Sequence, residues 1–137
     1  MEAILISIRQ QWWDKIKTGE KKIELRKSMP QQAERSCTCY VYVPEQKAVV
    51  GQFFLAGVAP VQPSEELETT TCVSIEKQME YQGNGTLYAW LIKMPAEYNY
   101  KFNLHKLLKI KRPPQSWQYC KIAVEADRKE AKISMEG

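Results

Sequence analysis

The chain has 137 residues, of which 44% are hydrophobic and 26% charged, and its formal net charge is +4. This supports one domain with a proper core and argues against disorder, while the mild basicity permits a phosphate-bearing partner without requiring one. No apolar run approaches the roughly 18 residues of a membrane-spanning helix, and Met1-Glu2-Ala3-Ile4 lacks the basic start of a signal peptide, so a cytoplasmic protein with reduced thiols and no membrane partner is expected.

Ala3 to Ile8 is apolar and β-branched, the pattern of a buried strand. Gln10 to Thr18 reads as a short helix in which Trp12 and Trp13 share a face with Ile16, and Gly19 supplies its C-terminal stop. Lys21 to Lys27 alternates, with Ile23 and Leu25 on one side and Lys22, Glu24 and Arg26 on the other. After a polar loop from Ser28 to Ser36, Cys37 to Val43 forms a strand stopped by Pro44. Ala48 to Val58 is a long strand in which Gly51 and Gly57 mark bulges or barrel corners. Pro63 to Thr71 predicts a helix with Ser64 as its cap and Glu65, Glu66 and Glu68 in the first turns.

Ser74 to Tyr81 predicts a further helix, Thr86 to Met94 a strand, and Tyr98 to Leu104 another. Leu104 to Ile110 is ambiguous. Pro113 and Pro114 break the chain, and Gln115 to Cys120 predicts one helical turn. Lys121 to Gly137 is charge-rich and reads as a C-terminal extension beyond a domain spanning residues 1–120. Many strands at short spacing with few short helices give an α+β, mainly β fold: a small β-barrel with helices on its rim.

Charge is unevenly placed. Tyr98 to Val124 contains no acidic residue but holds Lys101, Lys106, Lys109, Lys111, Arg112 and Lys121. Pro60 to Gln82 reverses this, with Glu65, Glu66, Glu68, Glu76 and Glu80 against Lys77. Cys37 and Cys39 share a strand face, Cys72 and Cys120 are isolated, and His105 is the sole histidine. That spacing is wrong for a zinc site, so buried quiet thiols, no metal and no cofactor are expected. One histidine also cannot serve as both acid and base of a histidine-pair nuclease.

The most specific stretch runs from Ile4 to Pro30. A strand ends in Ser7-Ile8-Arg9, a helix follows, and Gly19, Lys21, Glu24 and Arg26 fit a Gly-x-Lys-x-x-Glu-x-Arg pattern. Val49-Val50-Gly51 and Arg112-Pro113-Pro114-Gln115-Ser116-Trp117-Gln118-Tyr119 add to it. Over residues 3–120 the ordered set resembles the ASCH domain family of PUA-like barrels. The resemblance implies a PUA-like β-barrel with a cleft beside the Gly-x-Lys-x-x-Glu-x-Arg segment. It also implies RNA, or a modified nucleoside or nucleotide, as partner of a monomer or weak dimer, and a regulatory role in RNA metabolism, translation or transcription.

Within that reading, Ser7, Arg9, Lys21, Glu24 and Arg26 line the cleft, with Arg26 offering a planar fork to a phosphate or to Glu24. Ser116, Trp117 and Tyr119 follow two prolines, where Trp117 either stacks on an unpaired base or seals the barrel end. Lys109, Lys111 and Arg112 contact phosphates without reading sequence. The alternative is a small hydrolase, similar to amidohydrolases of N-acetylated cytidine or to a ribonuclease, using Lys21 and Glu24. Glu24 stands where that amidohydrolase group carries a threonine. A regular strand points Lys21 and Glu24 to opposite faces, so a shared site requires a bend near Lys22. A protein-binding adaptor using the acidic helices is a third reading, carried by composition alone.

Overall fold

A computed structural model describes residues 2–31 and 35–121. The elements are β1 (Ala3–Ser7), α1 (Gln10–Thr18), β2 (Ile23–Arg26), β3 (Cys37–Val43), β4 (Ala48–Val61), α2 (Glu66–Thr71), α3 (Ile75–Gln82), β5 (Leu87–Phe102), α4 (Leu104–Leu108) and β6 (Trp117–Cys120). They build one sheet in the order β2-β5-β4-β3-β1-β6, in which β1 and β3 are parallel and the other pairs antiparallel. The sheet curls into a half-barrel with short helices, a mainly-β α+β architecture. Among the described residues no helix is long and apolar enough to cross a membrane.

The inner strands read as continuous apolar runs because both of their faces are covered. Ile4, Ile6, Cys39, Val41, Phe53 and Trp90 pack together on one side with Trp13 and Ile16 of α1. Leu5, Tyr40, Tyr42 and Tyr98 pack on the other side beneath Leu104, Leu107 and Leu108 of α4. The pairing of β4 with β5 shifts register between Val49 and Gly51, Gln52 and Phe54, and Leu55 and Gly57. Each shift adds local twist, which curls two strands too long to lie flat. At Gly51 a Cβ would lie 2.5 Å from Trp13 Cζ2 and 2.5 Å from the Ala96 carbonyl. The missing side chain is what lets α1 dock. Gly19 takes φ 85 and its N–H returns to the Ile16 carbonyl, closing α1.

Several expectations need correction. Gln115 to Cys120 is not a helical turn. Trp117–Cys120 pairs antiparallel with β1, and Trp117 and Tyr119, two apart, both pack against the core that holds Trp90. The prolines before it favour the extended entry that a strand needs. Tyr98 to Leu104 is not a separate strand. β5 continues into it as far as Phe102, with Met94 at φ 48 inside the strand. The ambiguous Leu104 to Ile110 segment holds α4, whose Asn103 side chain accepts from the Lys106 N–H. The helix predicted from Pro63 begins at Glu66, although the Ser64 hydroxyl still accepts from the Leu67 N–H at 3.2 Å. The charged extension from residue 122 onward lies outside the described residues.

Candidate functional site

Lys21 sits between α1 and β2. Its N–H bonds the Lys15 carbonyl at 3.0 Å, the Lys22 N–H bonds the Thr70 carbonyl at 2.7 Å, and regular strand pairing begins at Ile23. Lys21 therefore lies in a turn rather than a strand, and the alternation that would separate it from Glu24 does not apply. Its side chain is 2% exposed. Nζ donates to the Thr71 carbonyl at 2.7 Å, lies 3.2 Å from Glu24 Oε1, and sits 5.1 Å from the centre of the Trp12 ring.

The polar face of β2 is buried along with Leu25. Glu24 is opposite Trp90 and Arg26 opposite Tyr88, while Ile23 is opposite Leu91, which is 39% exposed. Glu24 and Arg26 are 6% and 8% exposed, so both charges are buried and each requires partners. Arg26 Nε donates to Glu24 Oε2 at 2.9 Å and Nη2 to the same oxygen at 2.5 Å. Nη2 also donates to the Ser7 carbonyl at 3.0 Å. Nη1 donates to the Ser116 hydroxyl at 3.0 Å and the Ser116 carbonyl at 3.4 Å.

All of the guanidinium's donor capacity is thus committed. These bonds cross from β2 to β1 and to the chain entering β6, where the backbone ladder stops. The seam is fastened further by Trp117 Nε1 donating to the Ser28 hydroxyl at 2.9 Å, Trp90 Nε1 to the Ser28 carbonyl at 3.1 Å, and the Gln31 N–H to Tyr119 Oη at 2.7 Å.

Burial alone would push the Glu24 carboxyl up, but the charges of Arg26 and Lys21 and their hydrogen bonds hold it below its ordinary value. A carboxyl depressed in the folded state contributes stability above its unfolded pKa, and loses it as pH falls through the folded value. We expect wild type to lose stability as pH drops below about 4.5, the ordinary value for this group. The Glu24→Gln variant should start less stable near neutrality and show a flatter acid limb. Equilibrium urea unfolding at stepped pH reads both, and parallel acid limbs for the two proteins would contradict the coupling.

A cleft of about 670 Å³ opens over this cluster. Ser7, Arg9, Lys21, Glu24, Arg26 and Ser116 all line it, together with Trp12, Lys27 and Gln115 and, from α3, Lys77, Gln78, Glu80 and Tyr81. Ser7 Oγ donates to the Pro114 carbonyl at 2.7 Å, and Arg9 Nε to Glu45 Oε2 at 2.7 Å. Lys109, Lys111 and Arg112 are exposed and do not line the cleft. Trp117 and Tyr119 lie in the seam instead, ring to ring at 5.3 Å, with Trp117 5.4 Å from Trp90.

Trp12 and the α3 residues of the wall were not candidates from sequence. Trp12 reads as one of an apolar pair, and α3 reaches the cleft only because the preceding α2 is held to Lys21 through the Thr71 carbonyl and Gln78 of α3 is bonded to Ser64 and Val73. Cys37, Cys39 and Cys120 are buried as expected, whereas Cys72 is partly exposed; burial pushes the Cys39 thiol well up and Cys120 up to about 12. Among the described residues no group of His, Cys, Asp and Glu is arranged to hold a metal.

Comparison with solved structures finds the same fold in an ASCH protein from Zymomonas mobilis. A serine-to-alanine variant of it superposes with a TM-score of 0.74 at 18% identity, covering 93% of this chain and 92% of that one. A tyrosine-to-phenylalanine variant gives 0.72 at 18% identity over 93% and 94%, and the protein itself 0.71 at 19% over 93% and 92%. No curated protein matches. The ASCH domain pattern matches residues 6–114, most of the chain and with it Lys21, Glu24 and Arg26, so the chain belongs to the ASCH domain family.

Proposed function

We propose that the cleft binds RNA or a nucleotide by receiving an unpaired base at Lys21 and Glu24. The observation that carries this is the unused capacity of that buried pair. An ammonium has three donors, and Lys21 directs two of them at Thr71 and Glu24. A carboxylate offers about four acceptor positions, and Glu24 uses one on Oε1 and two on Oε2. Donor and acceptor capacity therefore remains on two neighbouring groups that line the cleft, the pairing that a base edge needs.

Two aromatic side chains, Trp12 and Tyr81, line the same cleft and can cover a planar ring. Its volume lies within the roughly 300–1,000 Å³ of small-molecule sites. The family is generally thought to bind RNA, which supports the reading.

The chemistry favours binding over the hydrolase alternative. A carboxylate held below its ordinary pKa by two cations is a poor proton acceptor, so Glu24 is ill suited to serve as a general base. Titration of a fluorescently labelled single-stranded RNA at several salt concentrations tests the proposal. Rim cations and the acid-free run supply about three to five phosphate contacts, giving a log–log salt slope of roughly −2 to −4. Absence of binding at low salt, or a salt-independent affinity, would contradict it.

A further inference from the structure

The cations at the cleft are of two kinds. Lys21 and Arg26 are buried and committed to Glu24, and Arg9 is paired with Glu45. Lys27 and Lys77 also line the cleft, but neither makes an ion pair among the described residues. Both are exposed, so each ammonium remains available to an incoming anion.

Tyr81 connects the two lysines. Lys27 Nζ lies 5.2 Å from the centre of the Tyr81 ring. Lys77 and Tyr81 are four residues apart on α3 and so occupy one helix face. That helix is pinned by Gln78, which is fully buried. Its Oε1 accepts from the Ser64 N–H at 3.0 Å, and its Nε2 donates to the Ser64 and Val73 carbonyls at 3.2 and 2.9 Å. Glu80 is the carboxylate on this rim, and no described cation is paired with it.

We infer that Lys27, Lys77 and Tyr81 form a phosphate subsite on the α3 rim, so that the cleft selects a nucleotide or a strand phosphodiester over a free nucleoside. This rests on the base-binding reading above and adds to it the class of ligand. The buried floor takes the base edge with cations already bonded to Glu24, Thr71, Ser7 and Ser116, and the rim supplies two exposed cations beside an aromatic ring. A phosphate joined to that base meets both lysines, whereas a nucleoside leaves them in water. The run from Lys101 to Arg112 is outside the cleft and plays no part in this selection.

Calorimetric titration with the four common ribonucleosides, their 5′-monophosphates and a single-stranded RNA pentamer tests the inference. At low salt the monophosphate of the preferred base should bind about tenfold or more tighter than its nucleoside, as two charge-assisted contacts warrant. The pentamer should match or exceed it if the natural ligand is a strand, and fall below it if the ligand is a mononucleotide. The double variant Lys27→Met, Lys77→Met should bring monophosphate and nucleoside to within about threefold of each other.

Replacing Lys109, Lys111 and Arg112 together with methionine should leave the monophosphate preference intact. Equal affinities in wild type, a preference that survives in the double variant, or one that vanishes in the triple variant would overturn the phosphate subsite while base binding stands. No binding of any probe by folded protein would overturn the subsite and the base-binding reading together.

Discussion

Replacing Arg26 with methionine should lower the unfolding free energy by about 3–5 kcal/mol, the loss typical of removing one partner from a buried ion pair. Arg26 does two jobs that a methionine cannot. It neutralises Glu24 through Nε and Nη2, and it bonds Ser7 and Ser116 across the edge where β2 and β6 leave the sheet open. Lys21 would still hold Glu24 Oε1, so the carboxylate is not wholly orphaned, but the seam would lose its central fastening. Arg26→Lys keeps the charge and should recover only part of the loss, because an ammonium cannot reproduce the planar fork. Urea unfolding of the three proteins measures this. A change below about 1 kcal/mol for Arg26→Met, the range of an exposed ion pair, would contradict a structural role for the seam.

The Lys21→Met substitution should weaken binding of a labelled single-stranded RNA about 30- to 100-fold. It removes the one cleft-floor donor with capacity left for a ligand, and hydrogen bonds to charged groups are worth about 1.5–3 kcal/mol. The Glu24–Arg26 pair persists in this variant, so folding and binding can be read separately. Lys22→Met is the matched control. Lys22 is exposed, does not line the cleft and carries the same charge, so its loss should cost only a small share of the long-range attraction. Equal losses for the two variants would mean that charge alone, and not the cleft floor, governs binding.

The sequence made the scaffold legible where burial is symmetric or where one residue punctuates the chain. β1 and β3 show as unbroken apolar runs because both faces are packed, and α1 ends where Gly19 takes the left-handed conformation. The bulges at Gly51 and Gly57 follow from glycines inside a strand. β6 was misread because two prolines followed by a short mixed segment fit a turn as well as a strand. Only pairing with β1 and the edge-to-face contact of Trp117 with Trp90 decide between them.

The cluster of Lys21, Glu24 and Arg26 was legible through the motif, but its setting was not. Alternation in β2 separates Ile23 and Leu25 from Glu24 and Arg26 but carries no sign that the charged pair is buried, opposite Trp90 and Tyr88, where each charge is paired. The opposite wall of the cleft, with Lys77 and Tyr81, comes from chain more than 50 residues away and carried no local signal beyond an amphipathic acidic helix. Arg26 had two open roles in the sequence, a phosphate fork or a partner for Glu24, and its bonds are committed to the second and to the seam.

The most direct test of base recognition in the cleft is a crystal structure of the protein soaked with a short single-stranded RNA. Lys21 and Glu24 should meet one base edge, with the ring between Trp12 and Tyr81 and the adjoining phosphate beside Lys27 and Lys77. Well-ordered RNA lying only along Lys101 to Arg112, with no nucleotide in the cleft, would contradict it.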